Sequence, residues 1–104
     1  MRIAFKMKVN KGYETEYQKR HNAIWQELEK TLMDHGVQFY SIFLDETTND
    51  LFAYAEINSL EQWERIANTD ICQKWWKYMS PSMPSNKDYS PISNELKEVF
   101  HIEK

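Results

Sequence analysis

The sequence predicts an α+β domain in which an antiparallel sheet carries helices on one face. Three observations point there. The chain opens on a stretch with period two, Arg2 to Val9. It then switches to helical spacing of three and four, and later shows two more strand-like runs joined by a short polar connection. A second helical stretch and a final alternating stretch follow, so the order is β-α-β-β-α-β.

In the first strand Ile3, Phe5, Met7 and Val9 alternate with Arg2, Ala4, Lys6 and Lys8, which gives one buried and one exposed face. Asn10 to Gly12 reads as a turn. A helix is expected from about Tyr13 to His35, with Tyr17, His21, Ile24, Leu28 and Leu32 as its apolar stripe. Gly36 supplies the stop, because glycine accepts the left-handed conformation common just past a helix end. Val37 to Leu44 is the second strand and Leu51 to Ile57 the third. The polar turn Asp45 to Asp50 makes them a hairpin. Ser59 with Gln62 three residues on is a capping-box signal for a short helix through Trp63 and Ile66. Thr69 and Asp70 cap another helix carrying Ile71, Trp75, Trp76 and Met79, which Pro81 and Pro84 terminate. Ser80 to Ser93 is a polar loop, and a last strand is expected near Leu96 to Ile102.

This order is the ferredoxin-like plan. Helices cover only one face of such a sheet, and the other face still needs a cover. A second copy packed sheet against sheet is the physical expectation, hence a homodimer. With 104 residues the chain is expected to form a single domain, 1–104, able to bury roughly two-thirds of its unfolded surface.

Composition excludes several classes. The formal net charge is −3, which argues against a nucleic-acid partner needing a basic stripe to neutralise phosphates. No apolar run approaches the ~20 residues that span a bilayer, and the N-terminus lacks the apolar block of a signal peptide. Cys72 is the one cysteine, so no disulfide forms within the chain. That suits a reducing compartment and a cytoplasmic location. Cys72 reads as a small core filler rather than a catalytic thiol. Four Trp, six Tyr and five Phe are more aromatic surface than a core of this size easily hides. Either some of them line a pocket or an interface, or the core simply favours aromatics.

Tyr17 and His21 lie four residues apart, so they share a helix face. A phenol beside an imidazole in an enclosed place can move protons as an acid-base pair. Two amphipathic core residues bonded to backbone would show the same spacing, and the pattern leaves both readings open. Trp75 and Trp76, about 100° apart on a helix, cannot both point into one core. Flat indoles suit the C–H faces of a sugar, while packing alone also accounts for them. Tyr40 shares the register of Gln38 and Ile42 and could offer its hydroxyl to a ligand. His21, His35 and His101 are far apart, with no ligand-spaced partner, so no metal site is expected. Phosphate-binding loops, dinucleotide fingerprints and the nucleophile elbow are all missing from the sequence. Side-chain proton transfer without a cofactor is the chemistry left.

The stretch Glu16-Tyr17-Gln18-Lys19-Arg20-His21-Asn22, followed by Ile24-Trp25 and Glu27-Leu28, resembles the first helix of the L-rhamnose mutarotases. Tyr40, Ile42 and Leu44-Asp45 look like that family's second strand. Thr69-Asp70, Cys72-Gln73 and Trp75-Trp76-Lys77-Tyr78-Met79 look like its later helix. The tail agrees through Met83-Pro84, Ser90-Pro91, Ser93, Glu95-Leu96 and Glu98-Val99-Phe100, so the resemblance covers nearly the whole chain.

The resemblance implies a dimeric α+β barrel of ferredoxin-like subunits. It also implies interconversion of the α and β pyranose anomers of L-rhamnose, which is an isomerase reaction, with no cofactor or metal. By position Tyr17 would be the proton donor, and His21, Tyr40, Trp75 and Trp76 the sugar contacts. Four residues on from Tyr17, His21 is the second catalytic candidate, to orient Tyr17 or the anomeric hydroxyl or to relay a proton through water. The family often has proline where this chain has Ala23 and Gln26. Without those prolines the helix is expected to run on more continuously past Asn22. Two alternatives carry different chemistry: a small monooxygenase of the same fold acting on haem or a polyketide, and a non-enzymatic ligand-binding dimer.

Overall fold

A computed structural model describes residues 1–104. The elements run β1 (Arg2–Lys8), α1 (Glu14–Asn22), α2 (Gln26–Asp34), β2 (Val37–Asp45), β3 (Asp50–Ile57), α3 (Leu60–Ile66), α4 (Asp70–Met79) and β4 (Asn94–Leu96), with a 3₁₀ turn at Ser80–Ser82 before β4. The sheet order is β2-β3-β1-β4, and every neighbouring pair is antiparallel. This is the ferredoxin-like α+β fold the sequence predicts.

The alternation in β1 carries through the sheet. Phe5 pairs with Ala53, and Ala53 with Ile42, so these residues share the face beneath the helices. The register of β2 slips between Val37 and Phe39, where the extra residue makes a bulge. The core lies between this face and the helices. It joins Met7, Val9, Leu51 and Ala53 from the sheet side to Tyr17, Leu28, Cys72, Trp75 and Met79 from the helices.

Both capping signals are realised. The Ser59 hydroxyl accepts the Gln62 N–H at 3.2 Å, and the Thr69 hydroxyl accepts the Cys72 N–H at 3.3 Å. Gly36 follows α2 with φ +84°, the left-handed stop expected there. A methyl group at Gly36 would come within 2.8 Å of the Asn58 and Gln62 side chains, so the helix end is also packed against the start of α3.

Two expectations fail. The long helix from Tyr13 to His35 is two helices, because the chain leaves helical geometry after Asn22. Trp25 adopts an extended backbone, φ −61° and ψ 130°, and begins α2 anew. The absence of proline at positions 23 and 26 therefore does not keep the helix continuous. Each half buries a different anchor, Tyr17 in α1 and Leu28 in α2.

The last strand is also shorter and earlier than predicted. β4 spans only Asn94–Leu96, and residues 97–104 form no regular structure. Leu96 pairs with Ala4 in β4, but Phe100 and Ile102, which continue its alternation, find no sheet position in this chain. Val99, Phe100 and Ile102 are 86%, 75% and 78% exposed. The tail is held by ion pairs from Arg2 to Glu98 at 3.0 Å and to Glu103 at 3.6 Å.

Candidate active site

A cavity of about 1230 Å³ is lined by residues of the helices and of the sheet. Tyr17 and His21 enter it from α1, Tyr40 from β2, Trp63 from α3, and Trp75 and Trp76 from α4. All five residues singled out in the sequence thus meet in one place, though they come from three elements.

Tyr17 and His21 are stacked, ring centroids 4.3 Å apart and planes inclined by 26°. The helix sets this directly, since residues four apart lie one above the other on a face. His21 Nδ1 lies 3.0 Å from the Tyr17 carbonyl oxygen. A carbonyl only accepts, so Nδ1 carries the proton and Nε2 keeps its lone pair. The Trp75 and His21 rings are perpendicular, 5.3 Å apart and inclined by 85°, so Trp75 packs on the imidazole from the side of α4.

Burial sets the protonation states. It pushes the Tyr17 phenol well above its ordinary value, so Tyr17 stays protonated across the physiological range. It pulls the His21 imidazole below 6.5, with the backbone bond to Tyr17 opposing in part. His21 is therefore neutral at neutral pH. The Tyr40 phenol is also raised, first by burial and then by the nearby Tyr17 and Cys72 groups. The site thus pairs a protonated phenol with an unprotonated imidazole nitrogen.

Tyr40 belongs to a second aromatic group. Its ring is 5.6 Å from that of Trp63, and Phe5 lies 6.3 Å from Tyr40 and 6.0 Å from Trp63. Trp75 is 7% exposed and packs into the core, whereas Trp76 is half-buried in the cavity wall. The adjacent tryptophans therefore divide as their angular separation requires. Phe5 and Trp63 were not singled out from the sequence. Their only signal was the general surplus of aromatics, since each falls on an ordinary apolar position of its own element.

Cys72 is buried in the core beside this site, and burial raises its thiol to about 11. It is a filler and not an activated nucleophile. The other two histidines lie elsewhere. His35 bonds the Thr31 carbonyl at 2.8 Å at the end of α2, and His101 pairs with Glu103 at 3.0 Å on the tail.

The fold and the cavity define a ferredoxin-like α+β protein with a stacked phenol and imidazole at an aromatic-walled site. A sequence model of the family described as L-rhamnose mutarotase matches residues 2–102. The chain is 55% identical over 102 residues to an L-rhamnose mutarotase of Shigella flexneri serotype 5b and 54% identical to one of Escherichia coli K12, covering 98% of this chain and of each relative. Its structure superposes on the crystal structure of an L-rhamnose mutarotase from Formosa agariphila with a TM-score of 0.91, at 47% identity and 99% coverage of both chains. The chain belongs to the L-rhamnose mutarotase family. A putative antibiotic biosynthesis monooxygenase from Nitrosomonas europaea is similar at a TM-score of 0.65 and 9% identity, covering 96% of this chain and 100% of that one, which shows the shared fold alone.

Proposed function

We propose that this protein interconverts the α and β pyranose anomers of L-rhamnose, as an isomerase that opens and recloses the sugar ring. One observation carries the reading: a phenol held protonated and a neutral imidazole are stacked at 4.3 Å on the wall of a cavity large enough for a hexose. Membership in the family supplies the substrate.

Opening the ring requires a proton at the ring oxygen and removal of the proton on the anomeric hydroxyl. Tyr17 donates the first. Nε2 of His21 accepts the second, directly or through a water, and both transfers reverse when the hydroxyl closes on the other face of C1. Positioned acid-base groups typically contribute roughly 10²–10⁴-fold, which suits a reaction that already proceeds slowly in water. Trp75 and Trp76 present flat apolar faces to the ring and to the methyl group on C5. Tyr40 reaches a hydroxyl.

The unit of function is one domain, residues 1–104, in a homodimer packed sheet against sheet. The uncovered sheet face carries Phe43, 65% exposed, together with Phe39, Phe52 and Leu96, and the apolar tail lies beyond it. Burying such a surface favours association, and a second copy is the partner whose surface is matched to it by symmetry. A cytoplasmic location fits the single buried thiol, and no helix is long and apolar enough to cross a membrane.

Saturation-transfer NMR tests the reaction. Irradiating H1 of α-L-rhamnose in the presence of the protein is expected to diminish the β H1 signal, with weaker or no transfer for L-fucose and D-glucose. If no deoxy sugar shows protein-dependent transfer, the proposal fails, and a Soret shift on adding haemin would then favour the monooxygenase alternative.

A further inference from the structure

Trp25 is the one tryptophan outside the cavity wall, and its position follows from the helix break. In an unbroken helix it would stand four residues beyond His21, on the same stripe, and would project into the cavity. The extended backbone at Trp25 instead lays its indole against α4. There it meets the Trp75 ring edge to face, at 5.1 Å and 86°, and the Tyr78 ring at 5.1 Å. Trp75 and Tyr78 in turn lie 5.5 Å apart, so the three rings close on one another.

The far side of this cluster is clamped. The Arg20 guanidinium sits 4.1 Å over the Tyr78 ring and donates to the Tyr78 carbonyl. Glu16 holds Arg20 from one turn away at 2.9 Å. The cluster therefore reaches back to α1, the helix that carries Tyr17 and His21. Trp75 stands in the middle, with one neighbour Trp25 and another His21, whose ring lies perpendicular to its own at 5.3 Å.

We propose that Trp25 is a positioning residue for the reaction: it fixes the Trp75 indole, and through it the orientation of His21, without touching the sugar. Large aromatic rings packed edge to face have few alternative rotamers, so removing one frees its neighbour to turn. A proton acceptor displaced by a fraction of an ångström loses rate more than binding. The role rests on the reading of Tyr17 and His21 as the acid-base pair.

The test compares wild type with Trp25→Leu and Trp25→Phe by anomer-exchange kinetics on L-rhamnose and by far-ultraviolet circular dichroism. Val37→Ala serves as a control, because Val37 packs on the core and is no member of this ring cluster. Trp25→Leu is expected to lower kcat about tenfold with KM changed far less. It is also expected to abolish the exciton couplet of the Trp25–Trp75 pair. Trp25→Phe keeps an aromatic edge against Trp75 and recovers most of kcat. Val37→Ala lowers the melting temperature and leaves kcat of the folded protein unchanged. Folded Trp25→Leu with wild-type kcat overturns the role, as does a loss of rate no larger than that of an equally destabilised Val37→Ala. If Trp25→Leu does not fold, Trp25→Phe and Trp25→His decide: rates that ignore the ring at position 25 overturn the proposal. Wild-type protein without anomer exchange overturns the acid-base reading itself, a result distinct from wild-type exchange that Trp25 variants leave untouched.

Discussion

The Tyr17 and His21 rings stack at 4.3 Å while His21 Nδ1 donates back to the Tyr17 carbonyl at 3.0 Å, so one turn of helix sets both the spacing of the pair and the tautomer of the imidazole. The proton on Nδ1 is committed to the backbone, and Nε2 is left as acceptor. No second carboxylate is needed to orient this histidine, because the carbonyl of the preceding turn does so.

Replacing either member should separate chemistry from folding. Tyr17→Phe keeps the buried ring and loses only the hydroxyl. It is expected to slow anomer exchange by about 10²-fold or more with little change in melting temperature. His21→Gln should cause a comparable loss. Exchange between the α and β H1 signals measures both, and undiminished exchange in Tyr17→Phe would remove Tyr17 from the mechanism.

The pH dependence follows from the direction of the His21 shift. Burial lowers its value below 6.5, so the deprotonated His21 that the proposed mechanism requires is present through the neutral range. Activity should be level near neutrality and fall on acidification, with a midpoint below 6.5. Stability carries the same sign. The unfolded chain binds a proton on His21 at a higher pH than the folded chain does. The protein should therefore lose stability as pH falls from 6.5 toward the folded value, and His21→Gln should remove that part of the slope. Melting temperatures measured between about pH 5 and pH 8 test this.

Trp76 is half-buried in the cavity wall, while Trp75 lines the same cavity but belongs to the buried core. Trp76→Ala should chiefly weaken sugar binding, raising KM about fivefold for the loss of about 1 kcal/mol of ring contact, with the fold intact. Trp75→Ala should instead destabilise the protein by about 3–5 kcal/mol, since it empties a core site. Kinetics and chemical denaturation distinguish the two.

Gly36 couples the end of α2 to the start of α3. Gly36→Ala must hold φ +84° and bring its methyl within 2.8 Å of Asn58 and Gln62. A loss of more than about 1 kcal/mol is expected. Gly12→Ala is the comparison: its φ is +91°, but nothing lies within 4 Å of the added methyl, so it should cost less. Urea midpoints report the difference.

The proposed homodimer packs through the outer sheet face. Light scattering should give a mass near twice the 12.6 kDa of one chain. Phe43→Glu, which puts a charge where 65% of a phenylalanine is exposed, should shift the equilibrium toward monomer.

Much of the fold was legible because its signals are local. Alternation in β1, β2 and β3, the caps at Ser59 and Thr69, and the stop at Gly36 each depend on a few neighbouring residues. The Tyr17–His21 pair was legible for the same reason, since four residues along a helix always return to one face. Three features were decided only by the tertiary structure. The break before Trp25 carries no glycine or proline to announce it. It shows only in the backbone, where Ala23 leaves helical geometry and Trp25 turns extended before α2 begins. Phe5 and Trp63 join Tyr40 at the cavity from separate elements, where each would read as plain core. The alternating tail beyond Leu96 has the pattern of a strand and no strand to pair with in this chain, because period two encodes a face to bury and not the surface that will bury it.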